Sequence, residues 1–242
     1  MAELKPYYEH NGIQIYNGDC QEVFPQLEKN VGLVLTDPPY GINYRSRHNS
    51  SWRQGGNRYK RWDRWRRDAN FPGIVGDDHS FDPTPWLPLG QCAFFGGNYC
   101  ADRLPPSCCW IVWDKNCDKT PSKQGDCELI WTNFDKPSRV YHHLWRGIIR
   151  EGRENVGIEH KYHPCQKPIA LLAFIIEYSD TEGIVLDPFC GSGSTLLAAK
   201  LLGRSAIGIE IEERYCEIAA QRLSQEVLFT GCSAHYGPAA DA

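Results

Sequence analysis

The first forty residues alternate between apolar and polar positions in a way that predicts a strand, a helix and a second strand. Residues 13–16 alternate and end in the polar turn that contains Asp19, and residues 21–28 place their apolar side chains on one helical face. The apolar run 31–35 predicts a buried strand that leads into Asp37. These three elements form a βαβ unit, so we expect its strands to be parallel and both acids to lie at one edge of the sheet, where open α/β sheets bind ligands.

The rest of the chain continues this succession of elements and predicts an α/β fold. A helical turn over residues 99–104 is predicted between two of the strands, and residues 146–161 are charged, contain glycine and predict a mobile surface loop. The other predicted strands are 92–95, 109–113, 126–131, 140–145, 184–186 and 206–209, and the other predicted helices are 169–178, 195–202 and 212–225.

The size and composition of the chain predict one domain over residues 1–242. With 242 residues, of which 41% are hydrophobic, it is long enough for one large packed core. It contains neither the run of roughly 18 apolar residues of a membrane helix nor an apolar signal peptide, so we expect a cytoplasmic protein without a membrane partner. Eleven cysteines without a C-x-x-C pair indicate reduced thiols rather than a metal site.

A basic and aromatic insertion is predicted over residues 41–76. Nine Lys or Arg residues lie between Arg45 and Arg67 against one acid, Asp63, although the whole chain has a net charge of −4. A solvated loop would explain the cations, but not the tryptophans among them. Guanidinium groups interleaved with aromatic rings favour contact with nucleic acid. The residues expected to contact nucleic acid are Arg45, Arg47, Arg58, Lys60, Arg61, Trp62, Arg64 and Trp65.

The candidate catalytic residues directly follow the buried strand 31–35. Asp37-Pro38-Pro39-Tyr40 offers a carboxylate, carbonyl oxygens and an aromatic face, and its two prolines have no N–H to donate. Such a corner suits a planar group that carries an N–H₂, such as the edge of a nucleobase. The alternative interpretation is a proline turn with Asp37 as its cap.

A glycine turn follows a second buried strand, 184–186. Gly191 and Gly193 allow the backbone to approach a ligand closely, and Glu210 follows at the spacing of an acid that binds ribose hydroxyls. No Gly-Lys-Ser/Thr is present, and Asp187 would repel a pyrophosphate. The turn therefore suits a nucleoside with a cationic sulfonium, or else it is a structural corner.

Together these motifs resemble those of the β-group of amino-methylating DNA methyltransferases. The resemblance rests on Asn17-Gly18-Asp19, the Asp37 motif, residues 163–168 and residues 187–195, in that order. It implies a Rossmann-like methyltransferase fold with a mixed seven-stranded sheet, helices on both faces and a circularly permuted motif order. It also implies S-adenosylmethionine as cofactor and a restriction-modification context.

The resemblance assigns a role to each matching residue. Asp37 and the Pro38 carbonyl would accept hydrogen bonds from the target amine, within the rigid Pro38-Pro39 corner, and Tyr40 would stack on the flipped base. Glu210 would bind the cofactor's ribose. The other residues expected to bind the cofactor are Asp19 beside its adenine ring, Gln166 and Lys167 at its methionine end, and Asp187, Phe189, Gly191, Gly193 and Thr195 around it.

The expected substrate is double-stranded DNA with its target base flipped out. Asp37 at the first motif position favours adenine N6 over cytosine N4. Residues 114–161 and the basic insertion are the candidate regions for target recognition. Cytosine N4 methylation, RNA or protein-glutamine methylation and a non-catalytic DNA-binding accessory role stay open, and a homodimer is one alternative for the oligomeric state.

Overall fold

The computed structural model describes residues 4–27, 30–43, 73–117, 125–146, 149–150 and 165–225. The proposed DNA-binding residues Arg45–Arg67, most of the predicted loop 146–161 and the C-terminal tail lie outside these residues.

One mixed sheet of nine strands forms the centre of the described chain. The predicted α/β fold is confirmed, but the sheet has nine strands rather than seven because a short strand extends it at each edge. At the N-terminal edge, Asn11 and Gly12 both have positive φ and turn the first strand back antiparallel on the second. In spatial order the strands are β1 (Tyr8–His10), β2 (Ile13–Asn17), β11 (Ala206–Glu210), β10 (Ile184–Asp187), β3 (Val31–Thr36), β4 (Gln91–Phe95), β6 (Cys127–Thr132), β5 (Trp110–Asp114) and β7 (Arg139–His142).

The middle of the sheet is parallel, as predicted for the βαβ unit. Strands β2, β11, β10, β3 and β4 run in one direction, and β6 is antiparallel to β4. The carboxyl ends of the five parallel strands therefore meet at one edge. This edge carries the residues that follow β3, β10 and β11, which include both predicted motifs.

Within the described ranges, four α-helices cover the two faces of the sheet: α1 (Cys20–Val23), α2 (Ile169–Ser179), α3 (Ser194–Leu201) and α4 (Glu213–Ser224). The last three bury their apolar side chains on one face, where Leu171, Ile175 and Leu196 pack against Leu33 and Leu35. On the opposite face, α1 and the segment before β4 cover a second core. No described helix is long and apolar enough to cross a membrane.

Two of the predicted elements are wrong in their extent. The helix expected over residues 21–28 is only α1 followed by a 3-10 turn, Phe24–Gln26, because Pro25 has no N–H for a continuing α-helix. The strand expected over 140–145 ends at His142, because its neighbour β5 ends where Asp114 accepts the backbone N–H groups of Asn116 and Cys117.

The chain then forms a separate small hairpin of β8 (Trp145–Arg146) and β9 (Ile149–Arg150), although a loop was predicted there. The predicted turn 99–104 consists of the 3-10 turns Gly97–Tyr99 and Ala101–Arg103.

Candidate active site

A cavity of about 1690 Å³ opens at the carboxyl ends of the parallel strands. Asp37, Pro38, Pro39 and Tyr40 line it, so both predicted motifs face one space, and Asp19 lies at the same edge as Asp37, as predicted. Gly193 is absent from the lining. The residues expected around a cofactor that do line the cavity are Asp19, Gln166, Lys167, Asp187, Phe189, Gly191, Thr195 and Glu210.

The Asp37 carboxylate is held by two donors, one on each oxygen. The Tyr40 hydroxyl donates to Oδ1 at 2.6 Å, and the Lys167 ammonium lies 2.7 Å from Oδ2. Burial raises the pKa of Asp37, and the Lys167 charge opposes that rise. An ionised carboxylate only accepts hydrogen bonds, so its remaining lone pairs suit an N–H₂ group.

The Tyr40 ring is fixed from two sides. Its neighbour Tyr99 stacks on it, with ring centroids 4.8 Å apart and planes 14° apart. Gly96 lies so close that an added Cβ would be 2.3 Å from Tyr40 Cε1. Tyr99 is 47% exposed, so the aromatic pair lies at the mouth of the cavity and not in the core.

The glycine turn after β10 owes its shape to packing as well as to ligand access. Gly191 and Gly193 have φ of 48° and 76°, which favour glycine. A Cβ on Gly193 would lie 2.8 Å from Cβ of Ala219 in α4, so this glycine allows close contact between turn and helix. The buried Arg222 donates to the Ser192 carbonyl and to Ser194 Oγ from below the turn, a support that the sequence pattern did not indicate.

Two buried carboxylates accompany this turn. Glu210 accepts the Gly191 N–H at 2.9 Å and the Glu212 N–H at 2.8 Å, yet burial raises its pKa to about 7. Asp187 accepts hydrogen bonds from the Thr36 hydroxyl, at 2.7 Å, and from Thr195, and burial raises its pKa to about 6. Neutral donors therefore satisfy these groups without cancelling their charge.

The remaining expected cofactor residues occupy different positions around the cavity. Asp19 caps α1 by accepting the Gln21 N–H at 2.8 Å. Phe189 makes edge contacts with the rings of Phe81 and Trp86, and Gln166 is buried in the cavity wall.

Lys167 lies at the Asp37 corner of the cavity. Besides its contact with Asp37, its ammonium lies 3.2 Å from Glu128 Oε2, and Lys115 lies 3.0 Å from Glu128 Oε1. The resemblance implies that Lys167 binds the methionine end of the cofactor, and this role stays a prediction. The carboxylates that Lys167 contacts lie at the Asp37 end of the cavity. Neither Lys115 nor Glu128 was expected here. Glu128 is a charged residue within the otherwise largely apolar strand β6, and this was the sequence signal that could have indicated its role.

The two ends of the basic insertion meet beside Tyr40. Asp77 accepts the backbone N–H groups of Gly41, at 2.8 Å, and Ile42, at 3.3 Å, and its carbonyl accepts that of Asn43. The chain therefore leaves and re-enters the described part of the protein at the cavity. Of the candidate recognition region 114–161, strands β6 and β7 belong to the central sheet, and its role in recognition stays a prediction.

Comparisons with known proteins agree with this fold. The family model described as DNA methylase, of the N6/N4 type, matches residues 110–221. The chain is 30% identical over 222 residues to the putative methylase YubD of Escherichia coli, covering 86% of this chain and 88% of that protein. It is 26% identical to the type II methyltransferase M.ScaI of Streptomyces caespitosus, covering 92% and 84%. The chain therefore belongs to the N6/N4 DNA methylase family.

Solved structures show the same architecture. The crystal structure of the M1.HpyAVI–SAM complex superposes with a TM-score of 0.53 at 25% identity, covering 88% of this chain and 100% of that one. The PvuII cytosine-N4-specific DNA methyltransferase gives a TM-score of 0.55 at 18% identity, covering 93% and 90%, and supports the fold alone.

Proposed function

We propose that this protein transfers a methyl group from S-adenosylmethionine to the exocyclic amine of a flipped DNA base, most favourably N6 of adenine. One observation carries the proposal. An acceptor corner at Asp37 and a glycine turn with two buried carboxylates face the same cavity from neighbouring strands, and Thr36 joins them through its hydrogen bond to Asp187. Family membership and the likeness to the M1.HpyAVI–SAM complex support the same reaction.

The residues of the cavity fit this cofactor. Asp187 and Glu210 lie by the glycine turn, and the lysines among the described lining residues, Lys115 and Lys167, lie within ion-pair distance of Glu128. A site with carboxylates and no compensating lysine suits a cationic sulfonium and ribose hydroxyls better than a phosphate. Glu210 would bind the ribose, and Phe189, Gln166 and Gly191 would enclose the rest. When bound, S-adenosylmethionine supplies an electrophilic methyl group.

The catalytic corner would orient and activate the amine. The lone pair of an aromatic amine is conjugated with its ring, so the amine is a weak nucleophile. Asp37 and the Pro38 carbonyl would accept its two N–H bonds, which favours pyramidal nitrogen and aims its lone pair. Tyr40 would stack on the base after Tyr99 moves aside. These contacts strengthen as positive charge develops on the nitrogen.

Adenine and cytosine both carry an exocyclic amine that can donate two hydrogen bonds to this corner. Asp37 in the first motif position supports adenine. The test uses duplex pools in which every adenine carries N6-methyl or every cytosine carries N4-methyl. Labelled methyl transfer should be lost on the first pool and kept on the second. The reverse pattern would assign the protein to cytosine N4.

A non-catalytic accessory protein is the second candidate. Calorimetric titration with S-adenosylmethionine separates the two functions, because a vestigial pocket would give no heat of binding. The complete set of Asp37, Tyr40, Gly191 and Glu210 around one cavity favours the enzyme.

A further inference from the structure

A chain of four alternating charges leads from the cavity wall to Asp37. Lys115 contacts Glu128, Glu128 contacts Lys167, and Lys167 contacts Asp37, at 3.0, 3.2 and 2.7 Å. The side chain of Lys167 is 9% exposed and that of Lys115 is 16% exposed. The two ammonium groups balance the two carboxylates, so the cluster is neutral as a whole.

Strand pairing brings these four residues together. Glu128 lies in β6 opposite Trp113 of β5, and Lys115 follows β5, with its N–H bonded to the Asp126 carbonyl at 2.8 Å. Asp37 follows β3, and Lys167 precedes α2. Four separate segments of the chain thus converge on this cluster.

The charge of each residue in this cluster shifts the pKa of its neighbours. Burial alone would lower the pKa of Lys167, but Asp37 and Glu128 outweigh it and raise that pKa. Burial would likewise raise the pKa of Glu128, but Lys167 and Lys115 hold it below its ordinary value. Glu128 shares Lys167 with Asp37, so Lys115 limits how strongly Glu128 draws that ammonium away. The other groups that face this cluster are Tyr40, Cys165 and Asp187.

We propose that Glu128 and Lys115 are positioning residues for methyl transfer: Glu128 holds Lys167 beside Asp37, Lys115 offsets the negative charge of Glu128, and together they set the pH above which Asp37 is ionised and can accept the target amine. The inference rests on the proposed function, since it assigns Asp37 to that amine. Neither residue needs to touch DNA or cofactor. A purely structural cluster would stabilise the fold without controlling the ionisation of Asp37.

The charges predict opposite effects for the two residues. Lys115→Met removes a positive charge and leaves the cluster around Asp37 with a net negative charge. This should raise the pKa of Asp37, so the acid limb of the profile of kcat against pH should move to higher pH. Glu128→Gln removes a negative charge, so that limb should move to lower pH. We expect each shift to be about half a pH unit, which is roughly a three-fold change in rate on the acid limb.

The experiment measures kcat against pH at saturating cofactor and DNA for wild type, both single variants and the double variant. Lys136→Met is the matched control, because Lys136 pairs with Asp180 outside the cavity, and its profile should match wild type. The double variant should return towards the wild-type profile. Unchanged profiles for both single variants, or shifts in the same direction, would overturn the proposal.

A second readout does not depend on turnover. Titration of the ¹³C-labelled Asp37 carboxyl by NMR, assigned with Asp37→Asn, should show the same opposite shifts in its pKa. If wild type transfers no methyl group yet these shifts appear, the proposed function fails and the electrostatic coupling stands. If wild type is active and Asp37 titrates identically in all variants, the positioning role fails and the proposed function stands.

Discussion

Two carboxylates end the neighbouring strands β3 and β10, and the protein compensates their charge in different ways. Asp37 has a buried lysine at 2.7 Å, whereas Asp187 has hydroxyl donors, and burial raises the pKa of Asp187 to about 6. Among the residues that the structure describes, backbone N–H groups are the donors to Glu210, and burial raises its pKa to about 7. The protein therefore supplies the cation where a neutral amine is proposed to bind. It leaves the negative charge in place where a sulfonium is proposed to bind.

Removing Asp37 should break the target side and leave the cofactor side intact. Asp37→Ala should raise the activation free energy of methyl transfer by about 3 kcal/mol or more and so lower kcat, because a contact that strengthens in the transition state is lost. Affinity for S-adenosylmethionine should stay within a few-fold. Rapid-quench kinetics and calorimetry measure the two quantities, and a variant that keeps a third of wild-type turnover would remove Asp37 from the mechanism.

Crowding the glycine turn should break the cofactor side. Gly193→Ala combines positive φ with a Cβ 2.8 Å from that of Ala219, so we expect it to lower the free energy of unfolding by about 3 kcal/mol and weaken cofactor binding. The matched control is Gly203→Ala, which has φ of 67° and no heavy atom near the added Cβ. Urea unfolding should show that the control lowers the free energy of unfolding by only about 1 kcal/mol. Equal losses in the two variants would show that packing against Ala219 does not matter.

Glu210→Ala tests the proposed contact between this carboxylate and the ribose of the cofactor. Loss of the carboxylate should weaken S-adenosylmethionine binding by about 1.5–3 kcal/mol, the range for a hydrogen bond to a charged group. DNA affinity without cofactor should hardly change. Calorimetry that finds the wild-type dissociation constant would reduce Glu210 to a support of the turn.

The raised pKa values predict how stability depends on pH. Between about pH 4.5 and 7 the folded protein binds more protons at Asp187 and Glu210 than the unfolded chain does, so the contribution of these two groups to the free energy of unfolding falls as pH rises. The part due to Glu210 should be on the order of 1 kcal/mol, obtained as the difference between wild type and Glu210→Gln. Urea unfolding across this range measures it. A difference that does not vary with pH would mean that Glu210 titrates normally.

The strand ends were predictable from the sequence because each buried apolar run stops at a polar residue. Asp37, Asp187 and Glu210 all follow such runs, and the parallel strands bring all three to one cavity. Local signals also explain one error, since Pro25 lay inside the predicted helix. The contact of Lys167 with Asp37 and Glu128 could not be predicted, because it depends on the register of β5 against β6 and on a residue 130 positions away.

Nucleoside analysis of methylated DNA tests the central claim most directly. Wild-type protein is incubated with labelled S-adenosylmethionine and mixed-sequence duplex DNA, which is then digested to nucleosides. The account predicts label in N6-methyladenine with wild type and a large loss of that label with Asp37→Ala. Label in 5-methylcytosine, or no label in DNA despite measured cofactor binding, would contradict it.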